Sequence, residues 1–348
     1  METEMSAQEC GAVEPFGEQI PFSDPYWYRE GLKSPFYGPS HVAFRAKVRK
    51  FTEEKISPFI GEWEENGTYP IELHEEAYKA GLLAAIWPRE FGGTPPDPSH
   101  PKGFDAFHDL ILIDELCRCG AGGVLWAVFF SFGISLPPVL NVGSQYLKDK
   151  VARDVITGKK IMSLAVTEPG AGSDVANITT TARKEGDFYV INGEKKFITS
   201  GMRASFFTVA VRTGGSGMGG VSLVLVERDT PGVTIRRQKT QGWWTSSTTY
   251  ITFEDVRVPI QNLIGKENDG FRPIMHNFNH ERFVFAAMSN RFARVCLEDA
   301  IKYSRVRKTF GKKLIQHPVC LLSSRLFCSV FFSIFSSLLF VGAAMRLK

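Results

Sequence analysis

The stretch IMSLAVTEPGAGSD, residues 161–174, marks the point at which the character of the chain changes. Its first seven residues are a short apolar run of the kind that forms a buried strand, and the glycine-rich segment after them predicts a loop. Glycines let backbone N–H groups approach a ligand closely, so this loop could hold a phosphate or the polar edge of a ring. A plain turn leading out of a strand is the alternative interpretation.

The residues after this loop continue the β pattern. Short runs rich in β-branched and aromatic residues follow at strand-like spacing: ITTTARK, FYVING, EKKFIT, FFTVAVR, VSLVLVE, VTIRRQK and YITFEDVRV. Asn192-Gly193 is a strong signal for a hairpin turn between two of them. The series predicts a β-barrel or a sandwich, and we assign residues 161–265 to a central β-barrel domain.

The residues before the loop have a helical period. Phe44, Val48 and Phe51 recur at i, i+4 and i+7, which predicts an amphipathic helix. Further helical patterns occupy 71–80, 104–118 and 144–157. We assign residues 39–160 to an N-terminal α-helical domain, and residues 1–38, rich in Pro, Gly and aromatic residues, to an extended N-terminal arm.

After Gly270 the helical period returns, and it is expected to run through RKTFGKK at 307–313. The resulting α–β–α order predicts an α+β fold, in which residues 266–319 start an incomplete C-terminal α-helical bundle. Residues 320–348 form a divergent hydrophobic tail. Within it, residues 326–345 carry no charge and are long enough to cross a bilayer, so a membrane anchor and a segment without a partner in the fold are both interpretations.

The composition is that of a folded globular protein, with 43% apolar and 22% charged residues in a chain of 348. A scattered net charge of +4 does not indicate nucleic-acid binding. The 6 cysteines form neither a disulfide framework nor a zinc-type pairing, which fits a reducing compartment. The acidic start METEMSAQECGAVE does not resemble an import signal, so we expect an intracellular protein without choosing among mitochondrial matrix, peroxisome and cytoplasm.

Several motif-like patterns have ordinary explanations. GGSGMGG at 214–220 lies between two strands with no helix after it, so we interpret it as a flexible hairpin tip and not as a dinucleotide loop. His276 and His280 could share one face of a helix as metal ligands, but a third ligand is missing and we assign no metal site. No hydrolase triad can be assembled, because no serine lies in a G-x-S-x-G elbow.

Two groups of charged residues are candidates for chemistry. Glu281, in HNFNHERFV at 276–284, is either a solvated helix residue or the group that takes a proton from a substrate. The basic residues of SRVRKTFGKK, 304–313, are either a solvated helix end or a phosphate-binding group, since guanidinium groups bind phosphate in a bidentate manner.

Four ordered motifs carry a resemblance to a known family. AVTEPGAGSDVA, NGEKKFITSG, FEDVRVP with NLIG, and RKTFGKKL together resemble the acyl-CoA dehydrogenases, flavoenzymes that desaturate acyl thioesters between Cα and Cβ. Their order and spacing match that family from about residue 40 to Val319. The resemblance implies a helical N-terminal domain, a central β-barrel, a C-terminal four-helix bundle, an FAD cofactor and an acyl-CoA substrate.

The resemblance also implies which residues bind the cofactor. Val166 and Thr167 would meet the pyrimidine side of the isoalloxazine, and Thr199 would reach its N5 atom. Phe197 stands where tryptophan is usual in the family and keeps an aromatic face for the flavin. The implied cofactor-binding residues are Leu164, Val166, Thr167, Gly172, Ser173, Phe197, Ile198, Thr199, Arg307, Thr309 and His317.

Two of these residues, Arg307 and Thr309, imply an oligomer. Arg307 and Thr309 match residues that hold the FAD diphosphate of a neighbouring subunit, so a dimer or tetramer is expected where the bundle is intact. His317 matches part of a His-Gln pair, in which Pro318 replaces the glutamine.

Glu281 matches the catalytic base of the isovaleryl and long-chain subgroups, which lies at the start of the first C-terminal helix. Removing the weakly acidic α-proton of a thioester requires a desolvated carboxylate beside it and donors on the thioester oxygen. Three residues are implied to contact the substrate: Ser173 near its CoA portion, Asn279 where many members have an aspartate, and Arg282 beside the base.

The function implied by the resemblance is FAD-dependent α,β-desaturation, in which the base takes an α-proton and a hydride passes to flavin N5. Electron-transfer flavoprotein or oxygen would accept the electrons. An acyl-CoA oxidase, which would use the same site with oxygen, is one alternative. An inactive truncated member, associated with a membrane through residues 326–345, is another, because the sequence departs from the family after Val319.

Overall fold

The computed structural model describes residues 34–100 and 103–318. The chain divides into a larger unit, Ala43–Val284, and a smaller unit composed of Met1–Val42 and Phe285–Lys348. Most of the predicted N-terminal arm and the whole hydrophobic tail, with the candidate anchor at 326–345, lie outside the described residues.

Helices form the first part of the fold, as the periodicity predicts. Phe44, Val48 and Phe51 are buried along the first helix, so its predicted apolar face is confirmed. This helix continues into a π-helical turn, Thr52–Ile56, in which the Thr52 hydroxyl donates to the carbonyl of Val48. The helices before the sheet are α1 (Pro39–Phe51), α2 (Ile60–Asn66), α3 (Leu73–Lys79), α4 (Ala106–Leu116), α5 (Gly122–Leu125), α6 (Ser131–Ser135), α7 (Pro137–Val142) and α8 (Gln145–Ile156).

The helical stretch from α5 to α7 has no counterpart among the sequence-based expectations. Its residues are apolar on nearly all sides and mostly buried, so the sequence has no amphipathic period there to reveal a helix. Among the described residues it is the one stretch long and apolar enough to cross a membrane, yet 83% of its most apolar window is buried inside the fold. Such burial is typical of a core helix.

Eight strands of the described part of the chain form one mixed sheet. They are β1 (Met162–Ala165), β2 (Thr181–Glu185), β3 (Phe188–Ile198), β4 (Phe206–Arg212), β5 (Val221–Glu227), β6 (Val233–Arg237), β7 (Thr249–Pro259) and β8 (Leu263–Ile264). Within the described part of the chain their order is β6-β7-β3-β2-β4-β5-β8, and β1 pairs with β4 in parallel. Ile191, Phe207, Val224 and Phe253 belong to the apolar core of this sheet. The expected change from helices to strands near Ile161 is confirmed.

The prediction of a hairpin turn at Asn192-Gly193 is wrong. Both residues lie inside β3, where the pairing with β7 shifts by one residue between Ile191 and Gly193. The Asn192 side chain exchanges two hydrogen bonds with Asp255 on β7, and a Cβ on Gly193 would come within 2.7 Å of Thr180 Cα. The extra residue lies on β7, where Glu254 and Asp255 face Asn192, so the β-bulge belongs to β7 and Asn192-Gly193 lies opposite it on β3. The hairpin between β2 and β3 turns at Gly186 and Asp187.

The glycine-rich loop at 214–220 lies where the sequence places it, between the antiparallel strands β4 and β5. The Arg212 guanidinium donates to the carbonyls of Gly215 and Gly217, which organises the loop from inside. A strand and not a helix follows, so the dinucleotide-loop interpretation is excluded.

The helix after the sheet, α9 (Phe271–Val306), ends earlier than expected. The prediction that the helix runs through RKTFGKK is wrong, because β9 (Lys308–Thr309) and β10 (Lys312–Lys313) pair there as a small antiparallel hairpin. Phe310 and Gly311 between them have φ values of 50° and 75°, as a two-residue hairpin turn of the primed type requires. The α–β–α order itself is confirmed.

Candidate active site

The end of β1 leads directly into the loop that the sequence singles out. Leu164 and Thr167 are half-buried, whereas Val166 is buried. Glu168 and Ala171 bond to each other through both backbone N–H groups, at 2.9 and 3.2 Å, and this closes a tight turn. Beyond the turn Gly172 and Ser173 are exposed, and nothing lies within 4 Å of an added Cβ on Gly172. The backbone of the loop is thus open to a ligand.

The end of β3 lies beside this loop. The Ser163 hydroxyl of β1 donates to the Thr199 carbonyl at 2.7 Å, and the Lys196 N–H donates to the Thr167 carbonyl at 2.8 Å. The structure thereby brings together the two segments that the sequence predicts to contact one ligand, although 30 residues or so separate them along the chain.

Phe197 presents its ring to solvent. Its side chain is 53% exposed and its backbone has a φ of 60°, a left-handed conformation that costs an aromatic residue energy. The Lys196 ammonium lies 4.8 Å from the ring centroid. Ile198 beside it is buried and its carbonyl accepts from the Thr249 hydroxyl, so Ile198 can meet a ligand only through its backbone. An exposed aromatic ring, held on a strained backbone, is a surface on which a planar ring can stack.

A buried ion pair underlies both segments. Lys195 Nζ lies 2.7 Å from Oε1 of Glu168 and donates to the Val166 carbonyl at 2.9 Å. The Glu168 carboxylate also accepts the backbone N–H groups of Thr179 and Thr180, at 2.6 and 3.0 Å. Glu168 is 4% exposed and Lys195 is fully buried.

The electrostatics of this pair favour its charged form. Burial would raise the pKa of Glu168, but the charge of Lys195 and the hydrogen bonds from Thr179 and Thr180 outweigh it and lower the pKa to about 2. Burial lowers the pKa of Lys195 to about 8 against the opposing effect of Glu168. The sequence-based reading does not single out this pair. Its signal is a lysine at an inward-facing position of a strand, which is rare without a buried partner.

Glu281 lies in the first half of α9 and is half-buried. Burial raises the pKa of its carboxyl group, while the charges of Arg282 and His280 act in the opposite direction. Within residues 34–100 and 103–318 the carboxylate has no hydrogen-bond partner. A partly desolvated carboxylate can take a proton more readily than a well-solvated one, so this position allows general-base chemistry.

The neighbours of Glu281 are held in place. His280 Nε2 lies 2.7 Å from Oδ2 of Asp109 on α4, a partner that the sequence does not identify. This pair borders a narrow cavity lined mainly by apolar and aromatic side chains, among them Trp126 and Phe130. One turn earlier, the Asn277 side chain donates to the Ile134 carbonyl. The start of α9 in the larger unit is therefore tied to the N-terminal helices by partly buried polar contacts.

Asn279 and Arg282, the predicted substrate contacts on α9, bond to each other: Nη1 of Arg282 donates to Oδ1 of Asn279 at 3.0 Å. Both side chains are exposed and so accessible to a ligand.

The remaining predicted cofactor residues belong to the smaller unit, where they lie near one another. Arg307 is exposed, and its carbonyl accepts from the Leu314 N–H at 2.9 Å. Nε2 of His317 lies 3.3 Å from the Thr309 hydroxyl and 3.3 Å from the Thr309 carbonyl. The hairpin of β9 and β10 thus brings Arg307, Thr309 and His317 together.

Comparison with known proteins gives three family matches along the chain. The model of the acyl-CoA dehydrogenase N-terminal domain matches residues 38–159, that of the middle domain residues 163–256, and that of the C-terminal domain residues 268–323.

Individual relatives agree with these matches. The chain is 42% identical over 311 residues to the acyl-CoA dehydrogenase apdG of Emericella nidulans, which covers 86% of this chain and 71% of that protein. A probable acyl-CoA dehydrogenase from Mycobacterium abscessus has a similar structure, with 39% identity, a TM-score of 0.79, and coverage of 87% of this chain and 80% of that one. A glutaryl-CoA dehydrogenase from Mycobacterium smegmatis in complex with FADH2 shares 25% identity, with a TM-score of 0.77 and coverage of 90% and 76%.

Proposed function

Because this chain belongs to the acyl-CoA dehydrogenase family, whose members are FAD-dependent oxidoreductases acting on CH–CH bonds, we propose that it desaturates an acyl-CoA thioester between Cα and Cβ. Membership makes the chain an oxidoreductase of the flavoprotein class associated with fatty acid β-oxidation. The acyl group and the details of the chemistry are parts of the proposal.

The observation that carries the proposal is the half-buried carboxylate of Glu281, whose pKa burial raises. In the proposed reaction Glu281 takes the α-proton, which a well-solvated carboxylate with an ordinary pKa would take less readily. Arg282 and Asn279 would contact the substrate beside it, and Ser173 would lie near the CoA portion. Asp109 would hold His280, and with it the backbone beside the base, in position.

The residues present fit a flavin. The open backbone around Gly172, the exposed ring of Phe197 and the half-buried Thr167 and Thr199 offer a stacking face and polar groups to one planar ring. Leu164, Val166, Ile198 and Ser173 would complete this cradle. When bound there, FAD supplies the acceptor for the hydride that leaves Cβ. The FADH2 complex of the similar glutaryl-CoA dehydrogenase supports a flavin as the cofactor.

The diphosphate of FAD would be held by the hairpin of the smaller unit. Arg307 offers a guanidinium, while Thr309 and His317 offer a hydroxyl and an imidazole. In the proposed oligomer, a dimer or tetramer, this hairpin serves the flavin of a neighbouring subunit. The proposed electron acceptor is electron-transfer flavoprotein or oxygen. We keep 39–160, 161–265 and 266–319 as the proposed domain boundaries.

The purified chain tests the proposal directly. We expect a yellow protein whose flavin absorbance bleaches when acyl-CoA esters of graded length and branching are added without oxygen, and the ester that bleaches fastest identifies the acyl group. Release of peroxide on admission of oxygen would identify an oxidase instead. A folded protein that takes up no FAD would contradict the proposal and favour an inactive member.

A further inference from the structure

We propose that Glu168 and Lys195 are positioning residues for the flavin, because their ion pair sets the direction of the backbone at Val166 and Thr167. The inference rests on the proposed function, in which Val166 and Thr167 contact the flavin ring. Neither Glu168 nor Lys195 touches the flavin in this proposal, and both act through the peptide groups that they hold.

The contacts bind both carbonyls of the ring-contacting segment. Lys195 Nζ donates to the Val166 carbonyl at 2.9 Å, and the N–H of Lys196 donates to the Thr167 carbonyl at 2.8 Å. In a trans peptide the C=O and the following N–H point in opposite directions. By drawing the Val166 carbonyl toward itself, Lys195 turns the Thr167 N–H to the other side, where it can serve as a donor.

The Glu168 carboxylate fixes the same segment from its other end. It bonds to Lys195 at 2.7 Å and accepts from the Thr179 N–H and the Thr180 N–H, which lie just before β2. A single group therefore ties the loop after β1 to two other strands of the sheet. Its effect reaches the exposed Phe197, which follows Lys195 by two positions on β3.

A contribution to the stability of the fold does not by itself explain why a buried ion pair occupies this position. Desolvating two charges is costly, and apolar replacements of similar volume are often neutral or stabilising for a protein. What an apolar pair could not supply is a donor aimed at the Val166 carbonyl. The pair therefore provides precise backbone geometry at the point where a cofactor is expected.

The test is the double variant Glu168→Gln with Lys195→Met, which removes both charges and leaves no buried charge unpaired. We expect it to fold, to bind FAD with a dissociation constant raised on the order of tenfold or more, and to change the visible circular dichroism of the bound flavin. That spectrum depends on the orientation of the ring, so a purely structural role would not alter it. Lys195→Arg, which keeps the pair charged, should restore part of the FAD affinity and provides a second variant if the double variant does not fold.

The matched control is Arg183→Met with Glu185→Gln, which removes an exposed ion pair on β2 together with the contact of Glu185 to Arg257 on β7. This control should change neither the FAD affinity nor the circular dichroism. The positioning role would be overturned if the double variant had the FAD affinity and the dichroism of the wild type. Where only Lys195→Arg folds, the same result in that variant would overturn it. Flavin bleaching in the wild-type chain would still uphold the proposed function in either case. A wild-type chain that takes up no FAD would overturn both.

Discussion

Nε2 of His280 on α9 lies 2.7 Å from Oδ2 of Asp109 on α4, although 171 positions separate the two residues in the sequence. Asp109 is buried, so its carboxylate depends on hydrogen-bond partners inside the protein. The contact also fixes the residue that precedes Glu281. A helix of the first part of the chain thereby positions the segment that carries the proposed base.

Replacing His280 by leucine should destabilise the protein. The substitution removes a hydrogen bond to a buried charged group, and such bonds contribute about 1.5–3 kcal/mol to the free energy of unfolding. Urea unfolding of His280→Leu measures the loss. His276→Leu is the matched control, since His276 is exposed one turn earlier on the same helix and should stay within about 0.5 kcal/mol of wild type. Equal losses in both variants would show that the contact with Asp109 is not the cause.

Replacing Glu281 by glutamine should abolish substrate-driven reduction while FAD stays bound. The amide has nearly the same shape but cannot take the α-proton, so the rate of flavin bleaching should fall by several orders of magnitude. Stopped-flow absorbance with an acyl-CoA ester measures this rate. Glu254→Gln, an exposed glutamate on β7, should bleach at the wild-type rate. Bleaching of Glu281→Gln at that same rate would remove Glu281 from the mechanism.

The rate of flavin bleaching should depend on pH through the ionisation of Glu281. Burial raises its pKa above the ordinary 4.5, so the ionised base is lost as the pH falls through this raised value, and the bleaching rate should fall with it.

The free energy of unfolding should depend on pH in the opposite direction, because the folded state binds the proton of Glu281 more tightly than the unfolded state. The contribution of Glu281 to stability is fully present below pH 4.5 and is lost as the pH rises through the raised pKa. Unfolding of wild type and Glu281→Gln across this window should therefore converge at the acid end; parallel curves would contradict the raised pKa.

Replacing Arg307 by alanine should weaken FAD retention. A charge-assisted hydrogen bond to a phosphate contributes about 1.5–3 kcal/mol, which corresponds to roughly a 10- to 150-fold rise in the dissociation constant. Fluorescence titration of the apoprotein with FAD measures it. Lys312→Ala removes another exposed cation from the same hairpin and controls for net charge. If both variants lose affinity equally, the hairpin acts only through its general positive charge.

Gly193, on β3 beside the β-bulge of β7, should tolerate no side chain. Gly193 has a φ of 141°, and an alanine Cβ would lie 2.7 Å from the backbone of Thr180, so the strands must move apart. Gly186 also has a positive φ, at 58°, but open space surrounds it. We expect Gly186→Ala to cost about 1 kcal/mol from backbone strain and Gly193→Ala to cost at least about 1 kcal/mol more. Thermal unfolding of the two variants compares them, and similar losses would mean that the backbone around Thr180 can adapt to a side chain at position 193.

Local patterns explain which features could be predicted. The apolar period of α1 and the apolar runs of β4 and β5 depend on near neighbours in the chain, so the sequence predicts these elements. The stretch from Gly122 to Val142 could not be predicted in the same way, because burial on every side removes the period. Asn192-Gly193 is misleading for a different reason: the glycine is needed because Thr180 approaches it closely, and that contact exists only once the strands have paired.

The sequence by itself determined the α–β–α order of the chain, the family, and the two segments on which a flavin is proposed to lie, because these depend on short motifs and their spacing. Only the tertiary structure decided that Lys195 meets Glu168, that Asp109 holds His280, and that RKTFGKK closes a hairpin beyond the end of α9. The physical reason is that a buried charge needs a partner, yet nothing in the local chain says which distant residue will be that partner until the sheet and helices have packed.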